Sequence, residues 1–142
     1  MLKLKEKVFQ AQKSPVSVPV AVAGSPVQCG FPSPADDYLV EKLDLNDFLV
    51  PRPYNTFMIR AKGNSMQVKI FDGDLLVVDK SIRPRSGHVV VAVVEGEFTV
   101  KRFIKNDDGV FLVPDNPKFN TIEVTDNDSR IWGVITSVIH KL

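Results

Sequence analysis

From Thr56 to the C-terminus the chain is a succession of short apolar runs rich in valine, isoleucine and phenylalanine, each ended by turn residues. The runs are "TFMIRA", "DLLVVD", "HVVVAVV", "EFTVKRF", "VFLVP" and "IWGVITSVI". This composition at this length marks β-strands. Glu95-Gly96 between two runs predicts a tight hairpin. Asp107-Asp108-Gly109 and Asp115-Asn116-Pro117 predict further turns. Many short strands at such spacing predict a mostly β domain of short, largely antiparallel strands, as a compact sheet or partly open barrel.

The region before Thr56 reads differently. Met1 to Gln28 carries Lys3, Lys5, Lys7 and Lys13, then Pro15, Pro19 and Pro26, with almost no helical periodicity. It is expected to be a flexible arm. Within it "SVPVAVA" suits a short extended segment, but its prolines exclude a central strand. Ser33 is expected to cap a helix whose first turn holds Pro34, Asp36 and Asp37. Tyr38, Leu39 and Leu43 would form its apolar face, with a second helical turn over Asp44 to Phe48.

With 142 residues, 44% hydrophobic and 25% charged, the chain suits one soluble globular domain. A net charge of +1 gives no global basic field for nucleic acid. The single cysteine excludes an internal disulfide and fits a reducing cytoplasm. No run approaches the ~18 apolar residues of a membrane span. Ala21-Val22-Ala23 resembles a signal-peptidase site, but Gln10, Gln12, Lys13, Pro15 and Pro19 interrupt the apolar segment that export requires. Gln28 before Cys29 likewise argues against a lipoprotein.

Several chemistries drop out on spacing. His88 and His140 have no partners at metal-ligand spacing, and no cofactor is expected. No phosphate-cradling glycine loop exists. A Ser-His-Asp triad stays possible by geometry, though nothing local supports it. Ser65 stands out because Gly63 permits a sharp turn just before it. A serine there projects its hydroxyl from a scaffold, with its own amide and a neighbouring one available to a developing oxyanion. Gly-x-Ser alone is nonetheless a common loop sequence.

Lys101 adds a second component. Thr99, Lys101 and Phe103 share one face of their strand, and Phe98, Val100 and Arg102 the other. Aromatic residues on both faces imply partial burial of both, so one of two adjacent cations lies near apolar surface. A lysine held there loses hydration, its pKa falls from about 10.4, and as a neutral amine it is a competent base. The alternative is a lysine whose stem packs while its ammonium reaches water. Strand pattern alone favours that alternative. Cys29-Gly30 is a third element: small residues where arm meets domain, suited to entering a protease cleft.

Together "QCGFPSPADDY", "GNSM", "DGDLLVVD", "GEFTVKR" and "IWGVITSVI" resemble the LexA/UmuD family of self-cleaving serine–lysine proteins, above all its UmuD-type members. The matching text covers nearly all of Val27 to Leu142. The resemblance implies a mostly β catalytic domain over residues 30–142, forming a homodimer, and an arm over residues 1–29 removed by self-cleavage. It implies Ser65 as nucleophile, Lys101 as general base and Cys29-Gly30 as the scissile bond. It further implies stimulation by RecA filaments on single-stranded DNA, and a product serving a UmuC-type polymerase in error-prone translesion synthesis. The loop from Ser65 to Asp72 is one residue shorter than in typical members, and the arm before Val27 is not part of the resemblance.

Three alternatives compete. A LexA-like repressor would need a DNA-binding domain that Met1 to Gln28 is too short to supply, so no sequence-specific DNA binding is expected. A type I signal peptidase would normally bring a membrane anchor. A non-catalytic dimeric module of the same fold, regulating a polymerase, would retain Ser65 and Lys101 as relics.

Overall fold

A computed structural model describes residues 2–3, 8–10, 19–23, 40–125 and 129–142. Cys29, Gly30 and Ser33, with the first turn of the expected helix, lie outside the described residues. The chain divides into two units, Ser14–Pro51 and the remainder.

In the smaller unit, strand β3 (Pro19–Ala23) pairs antiparallel with β4 (Val40–Asp44). Pro19 sits at the first position of β3, in a two-stranded ladder where its missing N–H leaves a central sheet intact. Helix α1 (Leu45–Leu49) follows, and the Asn46 amide donates to Asp44 Oδ1 at 2.9 Å as an N-terminal cap. The expected helix across 33–49 is corrected here. Among the described residues of this stretch, Val40–Asp44 is strand and only Leu45–Leu49 is helical. Backbone pairing of these five residues with β3 overrides the helical reading of Leu43.

The larger unit is one antiparallel sheet. Its members are β1 (Leu2–Lys3), β2 (Val8–Gln10), β5 (Thr56–Arg60), β6 (Leu75–Asp79), β7 (Val89–Val94), β8 (Glu97–Asn106), β9 (Gly109–Val113), β10 (Ile122–Glu123) and β11 (Ser129–Ile139). The order is β10-β9-β8-β7-β11-β6-β5-β2, with β1 also paired to β8. All six runs read as strands are strands. Three stretches of the region read as an arm, β1, β2 and β3, are strands as well.

Local chemistry explains the connections. Val94 and Glu97 face each other across the two-residue Glu95-Gly96 turn. Both turn residues have positive φ, 50° and 77°, which the hairpin twist demands and glycine supplies without strain. Asp107-Asp108 makes the next hairpin, with Asn106 opposite Gly109. A 3-10 turn at Pro53–Asn55 leads into β5.

β7 shows why its sequence is an unbroken apolar run. Val91 and Val93 enter one core cluster with Ile59, Leu76, Val78 and Phe98. Val90 and Ala92 enter a second with Phe103, Leu112 and Val134. A strand buried on both faces cannot alternate with polar residues. Met66 and Ile70, from the loop joining β5 to β6, pack into the first cluster and pin that loop to the sheet.

Candidate active site

The loop from Ala61 to Asp74 carries Ser65. Its base is closed by two backbone hydrogen bonds: the Ala61 amide donates to Asp74 O at 2.7 Å, and the Gly73 amide to Ala61 O at 2.8 Å. Gly63 has φ +91°, and its amide donates to Asp72 Oδ1 at 2.8 Å, so the chain turns just before the serine. Beyond it, Ile70 N–H donates to Met66 O, while both side chains are buried. The backbone strain is at Val68, a β-branched residue at φ 120° and 81% exposed.

Asp74 secures the far end. Its carboxylate accepts the Phe71 amide at 2.8 Å and pairs with His140 just past β11. Burial alone would raise this carboxyl, but the Phe71 amide and His140 hold it below the usual range.

Lys101 lies in β8, with Val90 opposite on β7. It is only 6% exposed. Its Nζ lies 3.0 Å from Ser65 Oγ, 2.9 Å from Thr99 Oγ1 and 3.0 Å from Val100 O. All three partners are neutral, and among the described residues the amine has no carboxylate partner. Burial therefore lowers the Lys101 pKa with nothing charged to restore it. Arg102, its neighbour, is the cation that takes a counter-ion. Its Nε and Nη2 donate to Asp115 at 3.0 and 2.8 Å. The Arg102 hydrogen bonds hold the Asp115 carboxyl below its usual range.

Beside Ser65 lies a small hollow of about 20 Å³, lined by Ala61, Lys62, Gly63, Met66, Ile70 and Val100. Among the described residues, the amides of Asn64, Ser65 and Met66 have no backbone acceptor. A hydroxyl within hydrogen-bond distance of a desolvated amine, next to a hollow and free amides, is an arrangement able to activate an oxygen nucleophile.

Two of the four residues singled out from sequence, Ser65 and Lys101, are thus brought together; Cys29 and Gly30 lie outside the described residues. Sequence reasoning placed Thr99 on the Lys101 face but missed it as a partner of the amine. A threonine two positions before a strand lysine was the available signal. It also missed Asp74 and two further anchors of the serine loop: Asn116, whose amide donates to Ser65 O at 2.9 Å, and Asp115, whose amide lies 3.4 Å from Met66 Sδ. His88 lies in a turn, where its Nδ1 accepts the Arg85 amide at 3.1 Å. Among the described residues no three His, Cys, Asp or Glu gather as metal ligands, and no helix is long and apolar enough to cross a membrane.

Comparison with known proteins shows the family. The model of the family described as Peptidase S24-like matches residues 21–136. Protein ImpA of Salmonella typhimurium is 46% identical over 116 residues, covering 80% of this chain and 79% of that protein. Protein MucA of Escherichia coli is 42% identical over 113 residues, 78% of this chain and 77% of the relative. The LexA repressor of Pseudomonas chlororaphis is 37% identical over 137 residues, 94% of this chain and 65% of the repressor. The chain therefore belongs to the Peptidase S24-like family, the LexA/UmuD group of SOS-related serine peptidases.

Proposed function

We propose that the protein is a UmuD-type self-cleaving serine peptidase, in which Ser65 is the nucleophile, Lys101 the general base and Cys29-Gly30 the bond cut. The observation that carries this reading is the 3.0 Å separation of Lys101 Nζ and Ser65 Oγ, with the lysine buried and without a counter-ion. A neutral amine has two N–H bonds and one lone pair. Thr99 Oγ1 and Val100 O take the two N–H bonds, and the lone pair is left for the Ser65 hydroxyl.

The reaction follows in two halves. Ser65 Oγ attacks the Cys29 carbonyl carbon as its proton passes to Lys101. The Ser65 amide and a neighbouring one stabilise the oxyanion. Collapse breaks the Cys29–Gly30 bond, and the Lys101 ammonium returns its proton to the Gly30 amine. Lys101 then takes a proton from the water that attacks the Ser65 ester and returns it to Ser65 Oγ as the ester breaks, and the freed Cys29 carboxyl group ionises. The product, Gly30 to Leu142, keeps strands β4 to β11. Cutting removes β1, β2 and β3, the last of them the partner of β4, and leaves β5 to β11 of the large sheet, so on this reading it is a switch of surfaces and partners.

By family likeness, the protein is a homodimer that RecA filaments on single-stranded DNA stimulate to cut. The shortened form joins a UmuC-type polymerase in translesion synthesis in the cytoplasm. The test is the intact mass of the purified protein after incubation with RecA, ATP and single-stranded DNA. The expected product begins at Gly30, and Ser65→Ala stays full length though folded. A product with another start rejects the assigned bond; normal processing of Ser65→Ala rejects the nucleophile.

A further inference from the structure

The turn after β9 takes hold of the serine loop by two carbonyl groups. The Asn116 amide donates to Ser65 O at 2.9 Å, and Asn116 Nδ2 donates to Asn64 O at 3.1 Å. Those oxygens belong to the two peptide groups that flank the Ser65 Cα. A trans peptide carries its N–H opposite its C=O. Holding Asn64 O therefore turns the Ser65 N–H to the other side, and holding Ser65 O does the same for the Met66 N–H. With both flanking planes fixed, the φ and ψ of Ser65 are fixed too, and with them the direction in which Oγ leaves the backbone.

The turn is itself anchored. Asn116 Oδ1 accepts the Lys118 amide at 3.1 Å, which decides which end of the side-chain amide faces Asn64. Asp115 is gripped by Arg102, the residue after Lys101 on β8. The Asp115 amide also lies 3.4 Å from Met66 Sδ. One end of this bridge thus holds the peptides around Ser65, and the other holds the strand that carries Lys101. The separation of hydroxyl and amine is set by a second route besides their own hydrogen bond.

We propose that Asn116 is a positioning residue: by holding the carbonyls of Asn64 and Ser65 it aims Ser65 Oγ at Lys101 and turns the Ser65 amide toward the oxyanion of the bond being cut. The proposal rests on the self-cleavage reading above. A plainer role also fits an asparagine here, because its Oδ1 stabilises the turn by accepting the amide two residues on. Asn116→Asp keeps that acceptor and loses the Nδ2 donor, so it separates the two roles.

The experiment follows self-cleavage of wild type, Asn116→Asp and Asn116→Ala by intact mass from pH 7 to 10. Melting temperatures are taken alongside, with Ser65→Ala and Lys101→Ala as controls. Both Asn116 variants should be slowed by roughly ten- to a hundredfold at every pH. Asn116→Asp should melt near wild type, and the alkaline rise of Asn116→Ala should fall at the wild-type pH. A wild-type rate in Asn116→Asp, with slowing confined to a destabilised Asn116→Ala, would overturn the proposal and leave a turn former. An Asn116→Ala profile displaced along the pH axis with its plateau intact would also overturn it, since the effect would then run through the lysine. Wild-type cleavage in Ser65→Ala or Lys101→Ala would instead sink the self-cleavage reading, and this proposal with it.

Discussion

The end of β6 and the middle of β8 each bury a charged group, and they treat it in opposite ways. Asp79 is 2% exposed and surrounded by donors: Arg52 Nε at 2.6 Å, the Ser81 amide at 2.8 Å and Ser81 Oγ at 2.6 Å. Burial would raise its pKa, but the Ser81 and Arg52 hydrogen bonds hold it below the usual carboxylate range. Lys101 is almost as deeply buried, yet it meets only neutral acceptors, and burial lowers its pKa unopposed. The first site makes its charge comfortable and gains stability. The second makes its charge uncomfortable and, on the self-cleavage reading, gains a base. Burial of an ionisable group is thus no guide to role until its partners are named.

The sharpest way to break this comparison is Lys101→Arg. A guanidinium stays protonated and cannot accept the Ser65 proton. Cleavage should fall by roughly four orders of magnitude or more in Lys101→Arg and in Lys101→Ala. Asp79→Asn, in contrast, should cut at the wild-type rate. Time courses of product formation decide it, and an active Lys101→Arg would mean that Ser65 uses another base.

A smaller effect is the pH dependence of unstimulated wild type. Only the neutral amine is competent, so the rate should climb by up to about tenfold per unit until Lys101 has lost its proton. Asp79→Asn should reproduce that climb. A flat wild-type profile would remove the contrast between the two sites.

Next comes stability. Asp79→Ala strands the Ser81 amide and one side of Arg52. The loss should be about 1–3 kcal/mol, toward the lower end because Arg52 is half exposed. Urea unfolding at pH 7 measures it, and no loss would mean that the Asp79 network is ornamental. Sign matters on the acid side. With its folded pKa depressed, Asp79 contributes fully above its unfolded pKa of about 3.9, and the contribution drains as pH falls through the folded value. Asp79→Ala should therefore show a flatter acid limb.

The smallest effect is on the alkaline side. The folded state binds the Lys101 proton more weakly than the unfolded state does. Wild type should therefore gain stability relative to Lys101→Met as pH rises toward about 10.4. Parallel unfolding curves across that range would contradict a depressed lysine.

Legibility in the sequence followed the range of the interaction. Strands β5 to β9 and β11 were readable because valine-rich runs and turn dipeptides are local signals. Two-residue β10 is too short to carry such a signal. β4 was misread because its strand character comes from pairing with β3, about twenty residues earlier. Alternation in β8 narrowed Lys101 to two fates and could not choose between them. The choice depends on a loop 36 residues away. Asn116 on Asn64, at 52 residues, and His140 on Asp74, at 66, were invisible for the same reason.

The distance of 36 residues between Ser65 and Lys101 also bears on timing. In an extended nascent chain the two groups have no means of meeting, and the anchors at Asn116 and His140 emerge later still. On the self-cleavage reading, the protein carries its scissors in pieces and assembles them only when the sheet is complete. A ribosome-bound or heat-unfolded chain is safe from itself. The cut, once made, certifies that the molecule which made it had folded.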